Sequence, residues 1–249
     1  VTFSYPKAET PVLKNISFTA NSGETTAFIG STGSGKSTLI NLIPRFYDVT
    51  SGQILIDGLD IREVSQKDLC AKIGYVPQKG VLFSGSVQSN ITYGIPNANK
   101  EAIVNAAKIS QSYDFVMELE NNFQATIAQG GTNVSGGQRQ RLSIARAIIK
   151  KPEIYIFDDS FSALDFKTDA TLREALGKET KEAIVLIVAQ RIGTIMHADK
   201  IIVLNEGEIV GIGTHEELLT SNAVYQEIAS SQLSDEELSK YQVPANHKG

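Results

Sequence analysis

The chain has 249 residues, 41% of them apolar and 20% charged, with a formal net charge of −5 at pH 7. That length can bury a large core, as one domain or a domain with a subdomain, and no apolar run reaches the roughly 18 to 20 residues needed to cross a bilayer. The acidic balance weighs against a nucleic-acid-binding face, and the lone Cys70 cannot close an intrachain disulfide, which fits a reducing, cytosolic setting.

Val1 opens on VTFSYP, already strand-like, so the chain reads as an excised piece. Apolar, β-rich runs recur at SFTA (17–20), TTAFIG (25–30), QILIDG (53–58), IGYVPQ (73–78), IYIFD (154–158), AIVLIVA (183–189) and KIIVLNEGEIVGIG (200–213). The central runs lack polar alternation, as strands buried on both faces of a parallel sheet do. Helical patterns lie between them, at STLINLIPRF, EAIVNAAKI (101–109), RQRLSIARAII (139–149) and TDATLREAL (168–176), which predicts a layered α/β core. The stretch from about 84 to 150 carries no convincing strand and reads as a helical subdomain. THEE at 214–217 is a capping box that starts a late helix. The expected organisation is one domain over 1–232 and a polar, loosely ordered tail over 233–249.

The segment TTAFIGSTGSGKSTLINLI contains Gly30-x-x-x-x-Gly35-Lys36-Ser37 between a strand and an amphipathic helix, the context that a P-loop requires. Gly30, Ser31, Thr32, Gly33, Ser34 and Gly35 turn backbone N–H groups around an anion at the positive end of a helix that continues through Thr38. Lys36 reaches the β- and γ-phosphates and the Ser37 hydroxyl can ligate Mg²⁺. These residues predict a nucleoside triphosphate site. Asp158, at the carboxyl end of IYIF, stands where open α/β sheets bind ligands and is a candidate Mg²⁺ carboxylate. Its plainer reading is a cap for the next helix.

Ser135-Gly136-Gly137-Gln138 feeds a second helix. In isolation it reads first as an N-cap, although its N–H groups would also suit an anion. About a hundred residues after a P-loop and about twenty before IYIFDD, the string resembles the signature of the ATP-binding cassette (ABC) family, and the resemblance covers almost the whole chain. It implies a P-loop NTPase (RecA-like) core with an N-terminal antiparallel β subdomain and an inserted helical subdomain. It also implies ATP and Mg²⁺ as ligands. Tyr5 matches the aromatic that stacks on adenine, where propensity alone would make it an edge-strand tyrosine. Gln78 in YVPQ matches the glutamine that touches Mg²⁺ and the attacking water, and Ser162-Ala163-Leu164-Asp165 matches the dimer-contacting loop. Because family nucleotides lie between two cassettes, Ser135 to Gln138 and Asp165 are expected to serve a partner's ATP. VPQKGVLFSGSVQSNITYG and ADKIIVLNEGEIVGIGTHEELL look like the exporter branch, which implies an N-terminal transmembrane domain on the full-length chain and a place at the cytoplasmic face of the plasma membrane.

Three departures stand out. The family's water-polarising glutamate is Asp159, its γ-phosphate histidine is Gln190, and its acidic residue before the signature is Gln129. Asp159 is shorter than glutamate by about 1.5 Å, and a misplacement of ~1 Å can cost on the order of a hundredfold in rate. Gln190 can donate a hydrogen bond but cannot carry a proton as imidazole does. With Lys36 and Gln78, these two complete the expected catalytic set. The pair resembles the degenerate-site subunit of heterodimeric bacterial multidrug exporters, with a catalytically intact cassette as partner. The alternatives are an ATP-gated dimerisation module without useful hydrolysis and a homodimeric exporter in which Asp159 is competent. Cassette ATPases of DNA repair are disfavoured by the absence of heptads between P-loop and signature. His197 and His215 lack partners at metal-ligand spacing and read as surface or cap residues, and Cys70 as a small core residue.

Overall fold

The computed structural model describes residues 1–239, so the end of the expected tail, 240–249, lies outside the described residues. Strands β1 (Thr25–Ile29), β2 (Leu55–Ile56), β3 (Leu59–Asp60), β4 (Ile73–Val76), β5 (Gly85–Ser86), β6 (Thr126–Ile127), β7 (Ile154–Asp158), β8 (Ile184–Val188), β9 (Lys200–Asn205) and β10 (Glu208–Gly213) occur in that order. Six of them form the central sheet, ordered β10-β9-β1-β8-β7-β4. Only the β9–β10 pair is antiparallel.

The unbroken apolar runs are explained by the two faces of this sheet. Ala27, Ile29, Tyr155, Phe157, Val185, Ile187, Ile201 and Val203 pack into one core, which includes Leu142 and Ile144 of the helix Gly136–Ile149. The intervening residues Phe28, Ile154, Ile156, Leu186, Val188, Ile202 and Leu204 pack into the other, with Leu39, Ile40 and Leu42 of the helix Lys36–Leu42. The period of two along each strand sends alternate side chains into different helix layers, so both faces are mostly apolar, with the buried Thr26 on β1 an exception.

The antiparallel N-terminal part is slight. It holds the bridges Thr2↔Ser51 and Phe3↔Leu13 and the β2–β3 hairpin. The expected strand at 17–20 does not form. Its apolar content packs instead, with Phe18 edge-on to Phe28 at 5.3 Å. Within the expected helical region, β5 and β6 pair antiparallel over two residues each, too short to leave a periodic signal.

Two sheet edges are occupied by side chains. On β10 the register shifts between Ile209 and Gly211, and Asn222 Nδ2 donates to the Val210 carbonyl at 2.8 Å. On β4 the Lys150 ammonium donates to the Ile73 carbonyl at 2.7 Å. Thr214 and Glu217 form the expected capping box on the helix His215–Ser221. The helix Ala223–Ser230 follows, and residues 235–239 of the expected tail are also helical, with Leu233 and Leu238 against the core.

Two expectations are corrected. Cys70 is exposed, because the helix Gln66–Lys72 turns only Leu69 inward. His215 is neither at the surface nor a cap: it is buried, with Nδ1 2.7 Å from the Tyr225 hydroxyl. A helix start followed ten residues later by a tyrosine gave no sequence signal for that pairing.

Candidate nucleotide site

β1 delivers the chain to Gly30, where a Cβ would stand 2.1 Å from the Leu204 carbonyl, so no larger residue fits. Gly35 precedes the helix Lys36–Leu42 with φ 101, a left-handed conformation costly for other residues. Between them the loop folds around Lys36, whose ammonium donates to the carbonyls of Gly30 and Ser31 at 2.8 Å each and to Ser34 Oγ at 3.3 Å. Burial pushes the Lys36 pKa down, against the opposing pull of Asp159 and Asp158. A desolvated ammonium held by three neutral oxygens gains strongly from an anion, and this loop is shaped for one.

Asp158 ends β7, is 5% exposed, and accepts from Ser37 Oγ at 2.9 Å. Burial raises its pKa, the Ser37 hydrogen bond lowers it, and the Asp159 charge raises it further. A hydroxyl bonded to a buried carboxylate is the donor set that Mg²⁺ takes in such sites, so the residues fit the ion. Tyr75, beside this carboxylate, has its phenol pKa raised by burial and by the Asp158 charge, and donates to Asn41 Oδ1 at 2.8 Å.

Asp159 departs from the strand with φ 45, in the left-handed region. Its N–H donates to the Val188 carbonyl of β8 at 2.9 Å and its carbonyl accepts from Ser162 Oγ at 2.9 Å, which over-determines the turn. Its side chain is reached from two other segments. Gln78 Nε2 donates to Oδ2 at 3.2 Å and Gln190 Nε2 to the same oxygen at 2.8 Å. Asp159, Gln78 and Gln190 therefore meet, and Lys36 is near enough for its charge to lower the Asp159 pKa, which burial raises.

Tyr5 also comes to the loop, with its hydroxyl 3.0 Å from Thr38 Oγ1 and its ring edge-on to Phe3 and Tyr47. Ser135 to Gln138 are not joined to it: among the described residues no hydrogen bond links them to Gly30–Thr38. Ser135 and Gln138 form a reciprocal capping box, with Gly136 and Gly137 in the first turn of that helix. Asp165 caps the helix Phe166–Glu179, accepting from the Thr168 N–H and hydroxyl, which hold its pKa down. Gln129 lies in the short 3₁₀ turn Gln129–Gly131.

Residues 13–162 match the sequence model of a family described as ABC transporter. The chain belongs to the ABC transporter family. It is 50% identical over 234 residues to an uncharacterized ABC transporter ATP-binding protein of Mycobacterium tuberculosis, covering 93% of this chain and 40% of the relative. A putative multidrug export ATP-binding/permease protein of Staphylococcus aureus is 48% identical over 232 residues, with the same coverage. A bacterial Atm1-family ABC exporter, solved with ATP bound, superposes with a TM-score of 0.91 at 36% identity, over 94% of this chain and 41% of that one. The chain thus spans about 40% of the length of these curated relatives. The matched segment is the ABC domain, a kind of domain that binds ATP, generally with Mg²⁺.

Within this ABC domain, sequence reasoning missed the residues that stand behind the site. Gln140, 1% exposed on the signature helix, accepts from the Gly80 N–H at 2.7 Å and donates to the Pro77 carbonyl at 3.0 Å, so it grips the loop carrying Gln78. The only hint was a polar residue among the charges of QRQR. Arg139 and Arg141 of that string bond the carbonyls of Gly131 and Gln111 and orient the helix within its own subdomain. Tyr47, which flanks Tyr5, carried no motif.

Proposed function

We propose that this chain is the ATP-binding motor domain of an ABC exporter whose own site binds the nucleotide well and hydrolyses it slowly. Asp159 is the water activator and Gln190 the residue opposite the γ-phosphate. Lys36 and the backbone of Gly30 to Thr38 bind the triphosphate and Tyr5 the adenine, while Ser37, Asp158 and Gln78 would hold Mg²⁺, which supplies charge neutralisation at the transferring phosphoryl group. Ser135, Gly136, Gly137, Gln138 and Asp165 face a second cassette and complete the site built on its P-loop. That partner is a different, catalytically intact subunit. An N-terminal transmembrane domain of the same full-length protein sets the domain at the cytoplasmic face of the plasma membrane.

The observation that carries this reading is the double use of one oxygen. Both glutamine amides donate to Asp159 Oδ2, which fixes a carboxylate already one methylene short and leaves only Oδ1 to receive a proton from water. Phosphate release by the purified chain, before and after Asp159→Glu, tests it, with nucleotide affinity measured separately. Slow turnover that the substitution accelerates supports the reading. Brisk turnover in the unsubstituted chain overturns it and favours a homodimer with Asp159 competent. A second reading, an ATP-gated dimerisation module without hydrolysis, draws support from the same burial of Asp159 and calls for no turnover in either form.

A further inference from the structure

The loop that carries Gln190 is itself gripped from the C-terminal end of the domain. Gln232 Nε2 donates to the Gln190 carbonyl at 2.8 Å, and the Ile192 N–H donates to Gln232 Oε1 at 2.8 Å. One side-chain amide thus satisfies the carbonyl of one residue and the N–H two residues on, as the N–H and C=O of a single residue in a neighbouring parallel strand would. Gln232 is in turn fixed just past the helix Ala223–Ser230, where its N–H donates to the Ala229 carbonyl at 3.0 Å and that of Leu233 to the same carbonyl at 2.8 Å. The peptide it grips has chemistry on both sides. Gln190 donates to Asp159, and the Arg191 guanidinium lies 5.5 Å over the ring of Phe166 and bonds the Ser162 carbonyl at 3.5 Å. Ile192, next in line, is fully buried.

We infer that Gln232 is a positioning residue, acting through Gln190 on the orientation of Asp159, so that the turn after the helix Ala223–Ser230 sets the rate of the site without touching nucleotide. This rests on the proposed role of Asp159 as water activator. It follows from the chain of bonds Gln232 to Gln190 to Asp159 and from the lack of any other side chain among the described residues that bonds the backbone of both Gln190 and Ile192. Its removal leaves the P-loop contacts untouched, so it acts on turnover and not on affinity.

Gln232→Ala is predicted to lower kcat by about 3- to 10-fold with KM for ATP unchanged. In the nucleotide-free chain it speeds hydrogen exchange of the Ile192 amide about tenfold or more and shifts the side-chain amide resonances of Gln190. Gln232→Glu keeps the acceptor for Ile192 but loses the donor to Gln190, so exchange stays slow while the Gln190 resonances move. On a Gln190→Ala background, Gln232→Ala produces no further fall in kcat. Unchanged Ile192 exchange and Gln190 resonances in Gln232→Ala overturn the inference, as does an equal fall in kcat on the Gln190→Ala background. The exchange and resonance arms need no turnover, so they judge Gln232 even if the slow-site reading fails.

Discussion

Asp158 and Asp159 are neighbours in sequence, yet they belong to two differently built regions. Asp158 leaves β7 in line with the strand and is bonded by Ser37, a residue of the phosphate loop itself. Asp159 turns into the left-handed region and takes its side-chain bonds from Gln78 and Gln190, which sit on loops braced by Gln140 and Gln232. The phosphate half is thus assembled from one short segment and one strand end. The half proposed to activate water depends on the helix Gly136–Ile149 and on the turn after the helix Ala223–Ser230. A site built this way can hold ligand firmly while its reactivity responds to movements elsewhere.

The sharpest way to break this comparison is to remove Lys36. Lys36→Ala leaves the glycine cradle without its ammonium, and nucleotide affinity is expected to fall by at least about 100-fold in a binding titration. Asp159→Glu is expected to leave that affinity unchanged and raise phosphate release by about 10- to 100-fold, since only the aim of the carboxylate changes. An affinity change from the second substitution would show that the two halves are not separable.

Gln140→Ala strips a buried bridge and leaves the Gly80 N–H and the Pro77 carbonyl without it. A cost of about 1–3 kcal/mol is expected in denaturant unfolding, together with a fall in kcat and little change in nucleotide affinity. The smallest effect is electrostatic. Burial is the largest cause acting on Asp159 and raises its pKa from 3.8, opposed by the Gln78 hydrogen bond and the Lys36 charge. The folded state therefore holds the proton more readily than the unfolded one. The resulting stability is full below 3.8 and is lost as pH rises through the folded value. Asp159→Asn, which never ionises, is expected to raise Tm by about 2–4 °C at pH 7, on the order of 1 kcal/mol, and by less as pH falls toward about 4.

What could be read from the sequence follows the same division. The P-loop residues are contiguous and flanked by their strand and helix, and β7 announces Asp158 with four apolar residues, so local pattern sufficed. The central strands of the sheet were legible because both of their faces are buried. The run at 17–20 has the same composition but forms no ladder, since composition reports burial and not pairing. Gln140 and Gln232 escaped notice because a glutamine that bonds a distant backbone looks like any surface glutamine in sequence. Tyr225 beside His215 was hidden for the same reason. The unusual backbone of Asp159 was also missed: aspartate is enriched in left-handed turns, but nothing beside it in the sequence marked this one.

The blunted margins of the central sheet bear on how copies of this domain can meet. Val210 and Ile212 of β10 are 40% and 48% exposed, a combination that invites a foreign strand to dock and extend the ladder into a fibril. The register shift beside them and the amide of Asn222 spoil that template, and the Lys150 ammonium does the same at β4. Edge-to-edge growth is thereby disfavoured at both ends, and the proposed pairing of the phosphate loop with a second cassette's signature helix would meet little competition from it.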